Sequence, residues 1–157
     1  MTTNITRRVE FDAGHRIPNH DSKCRHLHGH RYVLEVTASG ELVRTAGAPD
    51  EGMVLDFGVL KEVMTSAVAD IWDHKCLLSE HDPLAVWATS ETLSQIDELG
   101  IVLLPSIPTV ENLVTLAYNY MLTALWRRAP SLKLTRVRLY ETPNCWADFR
   151  PGNQEEE

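Results

Sequence analysis

The run Cys24-Arg25-His26-Leu27-His28-Gly29-His30 constrains this chain more than any other stretch, because it leads straight into Tyr32-Val33-Leu34-Glu35-Val36, which reads as a strand. Residues two apart on a strand share a face, so His28 and His30 present their imidazoles side by side once that strand is extended backwards. Upstream, Arg8-Val9-Glu10-Phe11-Asp12-Ala13 alternates polar and apolar residues, and His15 has the parity of Val9, Phe11 and Ala13. Two paired strands can therefore bring three histidines to one point.

Three neutral imidazoles suit Zn²⁺, at Zn–N distances of ~2.0–2.1 Å, and leave a fourth tetrahedral position open to water or substrate. A structural zinc would normally be closed by four ligands, often in Cys-x-x-Cys pairs, and the chain has no such pair. Cys24 is the remaining candidate. As a fourth ligand it would close the site; as a free thiol beside a dication it would ionise more readily and could act as base or nucleophile. His26 has the opposite parity and reads as an outer or surface group, while His20 and His81 lie in polar loop-like stretches without a metal signal.

Two amphipathic helices are expected. Leu60, Val63, Met64, Ala67, Val68, Ile71 and Trp72 follow the i, i+3, i+4, i+7 rule behind Asp56 as N-cap. Val110, Leu113, Val114, Ala117, Tyr118, Met121, Leu122, Leu125 and Trp126 do the same between an N-cap at Thr109 and a stop at Pro130. Both stripes read as core. A closing strand, Leu134 to Tyr140, sets Val137 and Leu139 against Arg136 and Arg138. The order is strand, strand, helix, irregular connection, helix, strand, an α+β pattern. Within Ser79 to Pro108, Ala85-Val86-Trp87 and Ile101-Val102-Leu103 fit a short helix or a strand equally well, and the tail from Gly152 to Glu157 reads as frayed.

The 157 residues fit one domain, 1–157. A net charge of -7 argues against a general nucleic-acid surface and against an anionic membrane. Three unevenly spaced cysteines form no disulfide framework. Ile101-Val102-Leu103-Leu104 is far too short to span a membrane, and Met1-Thr2-Thr3-Asn4 lacks the apolar core of a signal peptide, so a cytoplasmic location is expected.

Three further acidic positions draw attention. In Asp73-His74 a carboxylate can orient an imidazole and raise its basicity, although adjacent Asp-His pairs also arise by chance. Glu111 falls in the first turn of a helix, where the dipole already favours a negative charge. Glu141 has the parity of Val137 and Leu139, and a carboxylate on an apolar face is costly unless paired, which makes it a candidate acceptor for a substrate's donor groups.

The pieces Phe11-Asp12-Ala13-Gly14-His15, Cys24-x-x-x-His28-Gly29-His30, Asp73-His74-x-x-Leu77, Pro108-Thr109-x-Glu111-Asn112 and Tyr140-Glu141-Thr142 occur in the order seen in the 6-pyruvoyl-tetrahydropterin synthase family. The likeness is greatest to its bacterial 6-carboxy-5,6,7,8-tetrahydropterin synthases of the queuosine (7-deazaguanine) pathway, which share an ending like Glu141-Thr142-Pro143-Asn144-Cys145-Trp146, and it spans roughly residues 5 to 149. The resemblance implies a tunnelling fold (T-fold): a four-stranded antiparallel sheet carrying two helices, several protomers closing their sheets into a homo-oligomeric barrel, and active sites at protomer boundaries. It implies zinc on His15, His28 and His30, Cys24 as the proton-abstracting thiolate, Asp73 with His74 as partner dyad, Glu141 as the pterin anchor and Glu111 in a supporting role. The implied substrate is 7,8-dihydroneopterin triphosphate, converted to 6-carboxy-5,6,7,8-tetrahydropterin, acetaldehyde and triphosphate without a redox cofactor.

Zinc on three histidines would acidify a C–H beside the side-chain oxygens, with Cys24 and His74 as two bases. Lys23, Arg25 and Arg31 lie near the metal motif and are either a phosphate-facing cluster or ordinary surface charge. Two departures stand out: the Ser79–Pro108 connection is long compared with the shortest family members, and Cys76 adds a second thiol beside the dyad. A 6-pyruvoyl-tetrahydropterin synthase would use the same groups, and a non-catalytic zinc or pterin binding protein is the reading of another class; it predicts a missing catalytic group, whereas Cys24, Asp73 and His74 are all present.

Overall fold

Two thirteen-residue strands, β1 (Thr3–His15) and β2 (His28–Gly40), pair antiparallel over their full lengths and make the spine of the fold. The computed structural model describes residues 1–86 and 98–152. The chain continues through α1 (Phe57–Met64), a π-helical stretch (Thr65–Ala69) and α2 (Asp70–Trp72) to β3 (Lys75–Ser79) and β4 (Ile101–Leu104). It then forms α3 (Val110–Arg128), β5 (Lys133–Thr142) and β6 (Cys145–Phe149).

Among the described residues the sheet has six strands in the order β4-β3-β1-β2-β5-β6. The expected four-stranded antiparallel sheet is therefore incomplete, because β3 and β4 join as parallel partners of β1 and of each other. Parallel pairing requires a crossover, and the helical run between β2 and β3 supplies it. Ile101-Val102-Leu103 resolves as strand and residues 83–86 as helix, while Trp87 lies outside the described residues, as does the tail beyond Gly152.

One face of the sheet is apolar. Val9, Phe11 and Ala13 of β1, Leu34 and Val36 of β2, and Val137 and Leu139 of β5 pack against Leu60, Met64 and Trp72 and against Leu113, Ala117 and Met121 of α3. The expected caps form: Asp56 accepts from the Gly58 N–H and Thr109 from the Asn112 N–H. The stripes are narrower than expected. Ile71 is 41% exposed because the Asp70 N–H reaches back five residues to the Thr65 carbonyl, and that wider turn rotates the following residue off the core. Leu122 and Trp126 lie on the outer flank of α3, beyond the reach of the sheet, and are exposed.

Among the described residues the other face carries no helix, and it is charged. Glu35, 4% exposed, accepts from Arg8 and from Arg136, and Arg138 grips Asp148 through Nε and Nη2. The two faces differ as the alternation in the strands requires.

Candidate active site

His15, His28 and His30 meet on the apolar face at one end of β1 and β2, where the register sets His15 opposite His28 and Ala13 opposite His30. One potential ligand nitrogen from each ring falls within 4.8 Å of the others. The ring centroids are 4.6, 5.1 and 5.0 Å apart. The parity argument thus brings together the three histidines it singled out.

The main chain sets their tautomers. His15 Nδ1 lies 2.7 Å from the Pro108 carbonyl, and His28 Nδ1 lies 2.7 Å from the His26 carbonyl. A carbonyl only accepts, so each Nδ1 carries the proton and each Nε2 presents a lone pair. His26 itself is exposed and contributes through its backbone. Burial holds His15 and His30 below the ordinary imidazole value, which favours the neutral form a metal needs.

Glu141 completes the arrangement. Its Oε1 stands 3.6 Å from His15 Nε2 and 4.0 Å from His30 Nε2, and His15 Nε2 is buried without a hydrogen-bond partner. The lone pair on His15 Nε2 and a carboxylate oxygen face one another, an arrangement that repels unless a cation lies between them. The donor set therefore fits a divalent metal, with the nitrogens on the three rings and an oxygen at the margin. Cys24 is not in the set: among the described residues, the gathered ligand atoms are the three histidines alone. It sits half-buried on the single turn Lys23–Arg25, where its carbonyl accepts from the Ile17 N–H at 2.8 Å.

The dyad is built at the edge of β1. Asp73 Oδ1 accepts the Asp12 N–H at 2.9 Å, His74 N–H donates to the Asp12 carbonyl at 2.7 Å, and Asp73 Oδ2 lies 2.9 Å from His74 Nδ1. The Asp12 N–H and His74 together hold the Asp73 carboxyl below the usual range. His74 adopts φ 56°, a left-handed conformation uncommon for a residue with a Cβ, and its side chain is 81% exposed. It opens into a cleft of about 540 Å³ lined by Asp12, Gly14, Gly29, Arg31 and Cys76, among others. Asp12, Gly14, Gly29 and Arg31 have the parity of the charged face, while Ala13 and His30 have that of the apolar face, so the cleft adjoins the histidine cluster at this end of the sheet.

The remaining expected residues are more scattered. Glu111 is exposed in the first turn of α3, three positions beyond the Pro108 that holds His15, and its carboxylate makes no hydrogen bond or ion pair among the described residues. Arg31 is engaged by Asp12 at 3.1 Å through both Nε and Nη2, whereas Lys23 and Arg25 stand exposed on the turn. Cys76 lies opposite Gly14 in the register, and burial pushes its thiol up.

Two contributors were missed from sequence. Pro108, read as part of a motif, matters through its carbonyl, which no side-chain pattern reveals. Asp82, completely buried, binds Arg16 Nε at 2.9 Å and accepts the Leu84 N–H, fixing the residue next to His15. An acidic residue ahead of Pro83 is an N-cap signal that could have marked it.

Among known proteins, a family model described as 6-pyruvoyl tetrahydropterin synthase matches residues 4–152. A 6-carboxy-5,6,7,8-tetrahydropterin synthase of Rickettsia bellii is 35% identical over 143 residues, covering 91% of this chain and 96% of that protein. One of Haemophilus influenzae is 29% identical over 152 residues, with 93% and 97% covered. Among solved structures, an uncharacterized protein of Wolinella succinogenes aligns with a TM-score of 0.76 at 22% identity, covering 96% of this chain and 98% of the other. The 6-pyruvoyl tetrahydropterin synthase of Caenorhabditis elegans aligns with a TM-score of 0.66 at 23% identity, covering 96% of each chain. These two share the fold.

Proposed function

This chain belongs to the 6-pyruvoyl tetrahydropterin synthase family, and from that premise we propose that it is a 6-carboxy-5,6,7,8-tetrahydropterin synthase acting on 7,8-dihydroneopterin triphosphate in the queuosine (7-deazaguanine) pathway. The curated relatives that bear this enzyme name and match nearly end to end support the activity. The observation that carries the site is the set of inward-facing lone pairs on His15, His28 and His30, two of them fixed by backbone carbonyls.

In this reading zinc on the three imidazoles supplies a Lewis acid that acidifies the C–H beside the substrate's side-chain oxygens. Glu141 accepts hydrogen bonds from the amino and ring N–H groups of the pterin, which fixes the side chain over the histidines. Cys24 takes the proton from carbon, and His74, oriented by Asp73, moves the proton of the side-chain hydroxyl. Glu111 supports the site from the start of α3. One water is consumed: triphosphate leaves the end of the side chain first, the carbon–carbon bond then breaks to give acetaldehyde, and the oxygen of the water completes the carboxylate of the carboxy-tetrahydropterin.

In this reading one protomer's His74 serves the histidines of another, and active sites form where protomers meet in a homo-oligomeric barrel. That assembly gives the charged face, with Glu35 and its two arginines, a protected location. The location in the cell follows from the pathway, and no helix among the described residues is long and apolar enough to cross a membrane.

Anaerobic incubation of the zinc-loaded protein with 7,8-dihydroneopterin triphosphate, followed by mass spectrometry of the pterin and of any aldehyde, tests the reading. Carboxy-tetrahydropterin with acetaldehyde is expected. A pyruvoyl product would assign the other activity, and unreacted substrate would reject catalysis.

A further inference from the structure

Tyr32 lies within the histidine cluster, yet the proposed chemistry gives it nothing to do. Its side chain is fully buried, stacked on Phe11 at 5.4 Å and set edge-on to His15 at 6.1 Å and His30 at 5.8 Å. Its hydroxyl is buried without a hydrogen-bond partner. A phenylalanine would fill the same space without that penalty, so the oxygen is unexplained by packing.

The register supplies a partner. β2 and β5 pair Val33 with Tyr140 and Leu34 with Leu139, and Tyr32 and Glu141 are the next residues on the two strands beyond the last of these pairs. Both side chains fall on the apolar face, and both approach His15 and His30. Glu141 makes no hydrogen bond among the described residues; its Oε1 leans towards the His15 and His30 nitrogens instead. A donor without an acceptor thus adjoins an acceptor without a donor.

We propose that Tyr32 is a positioning residue: its hydroxyl donates to the Glu141 carboxylate and holds it turned towards the pterin ring rather than over the imidazole nitrogens. The proposal rests on Glu141 being the pterin anchor. A carboxylate with one lone pair fixed by Tyr32 keeps its other oxygen for the ring's N–H donors, so it meets the ligand already oriented.

The test uses unsubstituted pterin, which lacks the C6 side chain and so reports the ring anchor alone. Its affinity is measured by fluorescence titration for the zinc-loaded wild type, Tyr32→Phe, Glu141→Ala and the double variant, with zinc content and melting temperature in parallel. Tyr32→Phe is expected to keep its zinc and its fold, and to bind pterin about 10-fold more weakly, the loss of one charge-assisted hydrogen bond. In the Glu141→Ala background the same change should have no further effect. Wild-type affinity in Tyr32→Phe together with weak binding in Glu141→Ala would overturn the role of Tyr32 alone, and so would a full 10-fold loss in both backgrounds. Zinc loss in Tyr32→Phe would also overturn it, because the hydroxyl would then act through the histidines. Unchanged binding in Glu141→Ala would instead remove the anchor beneath the proposal.

Discussion

Gly29 stands between two of the three histidines, and replacing it with alanine tests whether the spacing of β1 and β2 sets the metal site. A Cβ at this position would lie 3.0 Å from the Ala13 carbonyl oxygen and 3.5 Å from the Gly14 Cα. The obstacle is backbone near the C-terminal end of β1, held in the β1–β2 ladder, so it yields only if the strands part by a few tenths of an ångström. Overpacking of this kind costs about 1–3 kcal/mol, offset by roughly 0.5–1 kcal/mol because alanine loses less backbone entropy than glycine on folding. The net loss of about 0.5–2 kcal/mol corresponds to a drop in melting temperature of roughly 1–8 °C for a domain of this size. The effect on metal should be larger. His28 and His30 flank Gly29 and would move together relative to His15, and ligand distances tolerate only ~0.2 Å. A loss of about 10- to 100-fold in zinc affinity is expected, the range seen when ligand orientation is disturbed. Competition with a chromophoric chelator measures it. Gly14→Ala is the internal comparison, because its Cβ would meet the His28 carbonyl at the less severe distance of 3.3 Å. A folded Gly29→Ala protein with wild-type zinc affinity would refute the argument.

Three further outcomes are expected. His28→Ala should lose most bound zinc by elemental analysis, since two nitrogens cannot hold the ion against a chelator; full retention would remove the three-histidine site. Cys24→Ala should keep zinc and lose turnover, whereas loss of metal along with activity would make Cys24 a ligand. Metal-free protein should lose stability on acidification, because His15 and His30 are held below the ordinary value by burial. The folded state then binds fewer protons than the unfolded chain once the pH falls below about 6.5, and each histidine contributes a slope of up to about 1.36 kcal/mol per pH unit. Denaturant titrations in chelator at pH 7 and pH 5.5 read this directly, and equal midpoints would contradict it.

What the sequence made legible was whatever depends on side-chain period. The parity of His15 with Phe11, and of His28 with His30, is a local property of extended chain, and both helix caps follow from residue chemistry at one position. The strands β3 and β4 were harder. Lys75–Ser79 follows a helix almost without a break, and Ile101–Leu104 is a four-residue apolar run whose period is undefined. β6 carried a usable signal in Pro143-Asn144, a turn dipeptide between Tyr140 and the alternating Trp146, Ala147, Asp148 and Phe149. The Pro108 carbonyl on His15 and the pairing of β2 with β5 that brings Tyr32 near Glu141 were out of reach, because both depend on strand and loop placement across about a hundred residues.

The dyad stands at the edge of β1, and the proposed function pairs it with the imidazoles of another chain. In the proposed assembly each chain is half of two different catalytic units, so damage to one chain disables two of them. The same division allows repair by mixing. A chain carrying His28→Ala and a chain carrying His74→Ala, each silent alone, would complement one another in a mixed assembly, since one supplies the dyad the other lacks and receives the metal half in return.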